Sequence, residues 1–455
     1  MEYIKNRFFE KANKDLAEFQ RIRKDYGDVV LGQVTIDQVL SGMKGIPALL
    51  TETSKLDANE GIRFRGFSLP ELQQKLPKLD DAGEPLPEGL FYLMMIGEIP
   101  EKEDVINISK NWATLSQVPQ YVFDVIDALP KNSRPMTQFS TAILSMASES
   151  VFQKAYRAGV NKKFYWDFMY EDVMILIARL PRIAAYIYRR IYHNGNHIEP
   201  NPSLDWAGNL AHMMGYDSVE VKRLLRLYMV IHADHEGGNV SAHATHLVGT
   251  ALSNAYYALA AGMVGLAGPL HGFANQDVMN WLEEMIEQLG TNEPTDAQLA
   301  AYIEQTLVQG RVVPGYGHAV LRITDPRFTV QQVFAEKYIK NDKLINLVNS
   351  VYRVAPPILE STGKIKNPWP NVDAISGALL HHYGITESSF YTVLFGVSRS
   401  LGVLASLVFD RVYGIPLERP SSYPLSWFVE KAKAAQAAKD GQPAQAAKTT
   451  EANEN

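Results

Sequence analysis

From Val240 to Gln276 the chain carries no Lys, Arg, Asp or Glu, and from Ser388 to Phe409 it carries one charge, Arg399. Segments this apolar must be buried, either in lipid or in protein. The part from Leu247 to Ala267 (LVGTALSNAYYALAAGMVGLA) is long enough to span a bilayer. However, Ser253 and Asn254 sit in its middle, no basic cluster flanks it, and no second convincing segment accompanies it, so a membrane span is rejected. The better reading is a helix buried on all sides, rich in Gly and Ala so that another helix can approach closely, as at a domain or subunit interface. The second run sets a different constraint. A cation among Leu, Val and Phe must be met by a protein carboxylate or a bound anion, because an unpaired buried charge is costly.

Helical signals dominate the rest. Thr295 and Gln298 form a capping box ahead of Leu299, Tyr302, Ile303 and Leu307, and Gly310 closes that helix. Ser68 and Glu71 open another. Val221, Leu224, Leu225, Tyr228 and Ile231 stripe a helix ending near His232, and Leu90–Ile96 ends at Gly97. Strand signals are short: Val34/Ile36 and Ile62/Phe64 alternate with polar residues. The expected class is all-α, with at most a short N-terminal β-hairpin. A chain of 455 residues is too long for one ordinary core and suggests two or three domains. Its net charge of -6 argues against a general nucleic-acid binder. With no cysteine, disulfides, Cys-ligated zinc, iron–sulfur clusters and a thiol nucleophile are excluded.

At the N-terminus Ile4, Phe8, Ala12, Leu16 and Phe19 fall on one helical stripe. There is no apolar secretory core, and Glu2, Glu10, Asp15 and Glu18 interrupt the basic residues. A cytoplasmic protein is expected; a mitochondrial matrix protein without its leader also fits. Beyond Val429 no apolar side chain larger than Ala occurs, so a frayed helix passing into a disordered tail is expected there, with residues 431–455 assigned to the tail.

Four stretches could carry chemistry. The first, HADHEGGNVSAHATH, holds four of the eleven histidines in two His-x-x-His pairs. That spacing puts imidazoles one turn apart, as a metal site needs, but Gly237-Gly238 breaks the helix between the pairs. Packed structural histidines are about equally expected. The second, GLAGPLHGFANQ, delivers His271 to a junction with little solvent, which favours a neutral imidazole able to donate to an oxyanion. A core histidine bonded to a carbonyl is the bland alternative. In the third, RVVPGYGHAVLRITDPRF, Pro314, Gly315 and Gly317 bend the chain before His318, with Arg322 and Arg327 following; this suits a carboxylate or phosphate ligand, or a solvated surface turn. The fourth pairs KNPWPNVDAISG, where Asp373 starts a helix, with the isolated Arg399. Together these residues suit proton abstraction beside a carbonyl, with the oxyanion held by imidazole and carboxylates by guanidinium.

Taken in order, ETSKLDANEGIRFRG, PLPEGLFYLM, HADHEGGNVSAHATHLVG, GLAGPLHGFANQ, GRVVPGYGHAVLRITDPRF, KNPWPNVDAISG, YTVLFGVSR and GIPLERP resemble the citrate synthase family, in its mitochondrial-type branch, over roughly residues 28–428. The resemblance implies an all-α homodimer with shared active sites. A large helical domain would comprise residues 1–272 and 385–430, and a small domain, 273–384, would close over the substrates. It implies condensation of acetyl-CoA with oxaloacetate and hydrolysis of citryl-CoA, with no metal and no cofactor beyond the substrates. Asp373 would be the base, His271 the donor to the thioester oxygen, and His318 the donor to the oxaloacetate carbonyl. His235, Arg327 and Arg399 would bind carboxylates, with Arg419 from the other subunit. Arg322, Lys366, Gly315 and Gly317 would contact CoA. His232, His243 and His246 would be structural.

The sequence departs from that branch at three points. Lys44 and Lys162 stand where CoA-phosphate arginines are common, keeping charge without the planar fork. Ile375 replaces a histidine beside Asp373. The nearest rival reading is 2-methylcitrate synthase using propionyl-CoA, separable by relative turnover of the two donors. A metal-dependent hydrolase built on the His-x-x-His pairs and a non-catalytic helical scaffold are more distant readings.

Overall fold

Local signals place the helices where they begin and end. In the computed structural model, which describes residues 2–363 and 365–439, Thr295 caps the helix Asp296–Val308 with the reciprocal Gln298 bond, and Ser68 does the same with Glu71 ahead of Leu69–Lys75. The helix Pro87–Ile96 stops at Gly97 in the left-handed conformation. Val219–Ile231 stops at His232. The N-terminal helix, Glu2–Tyr26, buries Ile4, Phe8 and Ala12, with Leu16 and Phe19 packed against the core. The all-α expectation holds. The described residues contain one small antiparallel sheet, β1 (Ser54–Asp57), β2 (Gly61–Phe64) and β3 (Phe67–Ser68).

Three expectations are corrected. Val34 and Ile36 do not form a strand: Thr35 accepts from the Gln38 N–H and caps a short helix, Ile36–Leu40, so a capping box wins over two alternating apolar residues. The uncharged run around Leu247–Ala267 is two helices rather than one. Val240–Thr250 ends near Leu252, which has positive φ, and Asn254 caps Ala255–Leu266 through the Tyr257 N–H. The polar Ser253-Asn254 pair was a helix start. Residues 431–439 belong to the helix Leu425–Lys439, because Ala, Lys and Gln are strong helix formers; residues 440–455 of the expected tail lie outside the described residues.

The two helices of the uncharged run pack tightly on each other. A Cβ on Gly262 would strike the Thr245 hydroxyl, so this approach needs glycine. Both also pack on the helix Tyr391–Tyr413, whose residues are nearly all buried. By length and composition the stretch Ser388–Tyr413 could cross a membrane, yet nearly all of it is covered by the rest of the chain.

The chain divides into two compact units, Met1–Asp25 with Leu49–Leu417, and Tyr26–Ala48 with Glu418–Asn455. The first contains the sheet and nearly all the helices. The second contains Ile36–Leu40 and Leu425–Lys439, and exposes Val29, Val30, Leu31, Leu40 and Leu425.

Candidate active site

The helix Val219–Ile231 ends at His232, and the chain then runs as a loop until Asn239 caps Val240–Thr250. His235 and Glu236 lie on this loop, Glu236 with a φ of 50°. The loop is held against the helix Tyr391–Tyr413. The Gly402 N–H donates to the Ala233 carbonyl at 3.1 Å, and a Cβ on Gly402 would collide with the Asp234 side chain. Across the loop, the His235 ring lies 5.5 Å from the His318 ring, centroid to centroid.

Two histidines have their tautomers fixed by backbone donors. The Ser241 N–H donates to His271 Nε2 at 3.2 Å, with Ser241 Oγ 2.9 Å from the same nitrogen. Nε2 is therefore an acceptor, and a neutral ring carries its proton on Nδ1. The Val320 and Leu321 N–H groups both donate to His318 Nδ1 at 3.0 Å, so its proton sits on Nε2. Burial, then Arg399, pushes His271 down to about 4. Burial, then Arg327, pushes His318 down to about 4. Burial with Arg327 and Arg399 holds His235 well below the usual histidine range, and its Nε2 is buried with no hydrogen-bond partner among the described residues.

The loop before His318 is laced to the strand-like approach to Asp373. The Gly317 N–H donates to the Trp369 carbonyl at 3.0 Å, the Asn371 N–H to the Gly315 carbonyl at 2.8 Å, and Asn371 Nδ2 to the Gly317 carbonyl at 3.1 Å. Asn371 Oδ1 accepts from the Asp373 N–H at 3.0 Å, where the helix Asp373–His382 begins. Burial pushes the Asp373 carboxyl up to about 6, with Arg327 the main opposing influence. A half-buried carboxyl near 6 is largely ionised at pH 7 yet more basic than an ordinary aspartate.

Two buried arginines act on this group. Arg327, at the start of Pro326–Tyr338, makes a forked pair with Asp325, Nη2 to Oδ2 at 2.6 Å and Nε to both oxygens at 3.1 Å. Arg399 has no carboxylate within ion-pair range among the described residues. Its Nε donates to the His232 carbonyl at 3.1 Å and its Nη1 to Asn239 Oδ1 at 3.0 Å, and the guanidinium lies 4.8 Å from the Phe395 ring centre. Burial pushes it down to about 10, opposed by Asp234.

His235, His271, His318, Arg327, Arg399 and Asp373 thus gather in one place. Gly315 and Gly317 shape its loop, both at positive φ. Arg322 is exposed, its Nη1 donating to the carbonyls of Val320 and Leu321. Lys162 and Lys366 are exposed, and Lys44 and Arg419 are exposed residues of the second unit. His232 donates from Nδ1 to the Tyr228 carbonyl at 3.0 Å and stacks on that ring; His246 bonds Asp410 Oδ2 at 2.8 Å. The two His-x-x-His pairs therefore have different partners, and no group of three or more potential metal ligands occurs among the described residues. Sequence reasoning passed over Asn239, Ser241, Asn371 and Phe395. Asn239 carried an N-cap signal after Gly237-Gly238, but nothing distinguished the others from ordinary helix and loop residues.

A sequence profile described as "Citrate synthase, C-terminal domain" matches residues 42–421. The chain belongs to the citrate synthase family. Among curated relatives, a probable mitochondrial citrate synthase of Glossina morsitans morsitans is 55% identical over 90% of this chain and 89% of its own. Mitochondrial citrate synthase 4 of Arabidopsis thaliana is 50% identical over 96% and 92%. The citrate synthase structure from Pyrobaculum aerophilum shares the fold at a TM-score of 0.73 and 24% identity, covering 88% of this chain and 98% of that one. A Thermoplasma acidophilum citrate synthase, solved as a ternary complex with carboxymethyl coenzyme A and oxaloacetate, superposes at a TM-score of 0.72 and 22% identity, covering 86% and 97%. The curated relatives are named mitochondrial, so the cytoplasmic expectation finds no support among them.

Proposed function

We propose that this citrate synthase condenses acetyl-CoA with oxaloacetate and hydrolyses the citryl-CoA formed to citrate and CoA. The observation that carries the residue roles is the pair of backbone-fixed histidine tautomers in the cluster that holds Asp373. Asp373 takes a proton from the acetyl methyl group. The His271 Nδ1–H donates to the thioester oxygen as enol character develops. The His318 Nε2–H donates to the oxaloacetate carbonyl and assists its protonation as the carbon–carbon bond forms. A neutral imidazole with one committed acceptor nitrogen is suited to each task, since its remaining proton has one direction to go.

His235, Arg327 and Arg399 bind the oxaloacetate carboxylates, with Arg419 supplied by a second copy of the chain. Arg322, Lys366 and the Gly315–Gly317 loop bind CoA, with Lys44 and Lys162 meeting its phosphates. The reaction uses no metal or other cofactor. Residues 273–384 act as a small domain that closes on the large one, 1–272 with 385–430. A homodimer is supported by the exposed apolar residues of the Tyr26–Ala48 segment and by Leu247, Val264 and Leu270. A mitochondrial matrix location follows the named relatives.

Thiol release from acetyl-CoA, measured with and without oxaloacetate, tests the reaction. Oxaloacetate-dependent release is expected, faster with acetyl-CoA than with propionyl-CoA; a reversed preference would favour the 2-methylcitrate reading.

A further inference from the structure

The β1–β2 hairpin touches both halves of the residue cluster. One end is tied to the His235 loop. Thr53 Oγ1 and Ser54 Oγ donate to Asp234 Oδ2 at 2.5 and 2.7 Å, Ser54 Oγ accepts from the Glu236 N–H at 2.9 Å, and the Leu56 N–H donates to Glu236 Oε2 at 3.0 Å. Asp234 and Glu236 are the immediate neighbours of His235. The other end, the Asp57–Gly61 turn, is tied to the segment between His318 and Arg327. The Arg322 N–H donates to the Ala58 carbonyl at 2.8 Å. Gly61 sits so close to Pro326 that a Cβ there would lie 2.6 Å from both Cδ and Cγ of the ring. Pro326 precedes Arg327 directly.

Between these ends the hairpin is stiff. Its strands pair from Ser54 with Phe64 to Asp57 with Gly61, and Asp57 Oδ1 accepts from the Asn59 and Glu60 N–H groups across the turn. Leu56, Ile62 and Phe64 are buried.

We propose that this hairpin is a positioning strut for the condensation: it sets the separation between His235 and the His318–Arg327 segment, with Ser54 and Gly61 as positioning residues at its two ends. The inference rests on the condensation reading of those residues. His235 and His318 come from segments far apart in sequence, and the hairpin is bonded to both. A displacement of about 1 Å between groups that hold one small substrate can cost on the order of a hundredfold in rate.

Two glycines separate the strut from simple strain. Gly61 opens β2 and Gly66 lies in the turn from β2 to β3 of the same sheet, with φ values of 85° and 87°, so alanine strains the backbone equally at either. Only at Gly61 would the methyl group meet anything; Gly66 has nothing within 4 Å. In the full-length protein, Gly61→Ala should raise the KM for oxaloacetate roughly tenfold or more. Amide hydrogen exchange of a peptide spanning 318–325 should also speed up, as the Arg322 N–H loses its acceptor. Gly66→Ala should change neither quantity beyond about twofold, a margin set by ordinary surface substitutions. Adding Pro326→Ala to Gly61→Ala removes the obstructing ring and should restore most of the lost affinity. Ser54→Ala tests the other end and carries the test if Gly61→Ala does not fold; it should raise the same KM without changing the subunit assembly. Equal effects from Gly61→Ala and Gly66→Ala, no rescue by Pro326→Ala, or unchanged exchange over 318–325 would overturn the proposal. The exchange readings need no turnover, so they still decide the strut if the wild-type protein proves inactive with oxaloacetate and acetyl-CoA.

Discussion

Arg327 and Arg399 belong to the same cluster, both buried and differently matched. Arg327 grips Asp325 through a forked pair within its own helix start. Arg399 rests on a carbonyl, an amide oxygen and an aromatic face, all neutral. The first charge is compensated before any ligand arrives. The second has no ion-pair partner among the described residues, and Asp234 and Asp373 offset its desolvation only through space. Arg327 therefore meets a ligand already paired, while Arg399 keeps its ion-pairing capacity for a carboxylate. A buried arginine is thus informative about ligands only when its protein partners fail to neutralise it.

The largest expected effect probes Asp373, whose carboxyl feels both arginines. Asp373→Asn should lower kcat by roughly a thousandfold, within the range for removing a general base. Both arginines remain, so oxaloacetate affinity should stay within a few fold of wild type. Near-normal turnover would remove Asp373 from the mechanism. Next, Arg327→Leu strands Asp325 and should cost the ligand-free protein about 3–5 kcal/mol of stability, read as a lower denaturant midpoint. Arg399→Leu should instead leave ligand-free stability unchanged or slightly raised, while weakening oxaloacetate binding by about 2–5 kcal/mol in calorimetry. If both variants melt far below wild type, the contrast between the two arginines is wrong.

A smaller effect concerns pH. The base must be ionised, and Asp373 is pushed up to about 6, so kcat should fall as pH drops through 6. His271 and His318, near 4, stay neutral above about pH 5 and add no limb there. Losing a nearby cation raises the carboxyl pKa, so the limb should move to higher pH in both arginine variants, and further for Arg327→Leu. A limb unmoved in both would mean that it belongs to another group. The smallest expected effect is none: dialysis against EDTA should leave activity and Tm unchanged, since His232 and His246 have separate protein partners. Stoichiometric zinc whose removal abolishes activity would restore the hydrolase reading.

Much of this was legible before any coordinates. Asp373, His271 and His318 each sat beside Gly or Pro that bend the chain, and Arg399 was conspicuous as a lone charge. Helix ends were legible where a capping residue and a glycine bracketed an apolar stripe, as at Thr295 and Gly310. What failed was local ambiguity. Val34 and Ile36 alternate over too short a span to decide against Thr35 as a cap. The Ser253-Asn254 pair reads as polarity within one helix, yet Asn254 caps the start of a second. The partners of Arg399 were invisible because Asn239 and Ser241 are ordinary N-terminal helix residues, and their role depends on a helix some 160 positions away in sequence.

Gly402 never approaches a substrate by any atom of its own side chain, since it has none. Its backbone fastens the Arg399 helix to the His235 loop, and Asp234 occupies the space where a methyl group would stand. For anyone redesigning this enzyme, that reverses the usual order of freedom. Charged residues of the cluster can be exchanged with the scaffold left in place, and a new specificity can be sought among the survivors. At Gly402 the smallest available change pushes apart the two segments on which every such exchange would depend. A mutational library should hold this glycine constant and vary the residues around it.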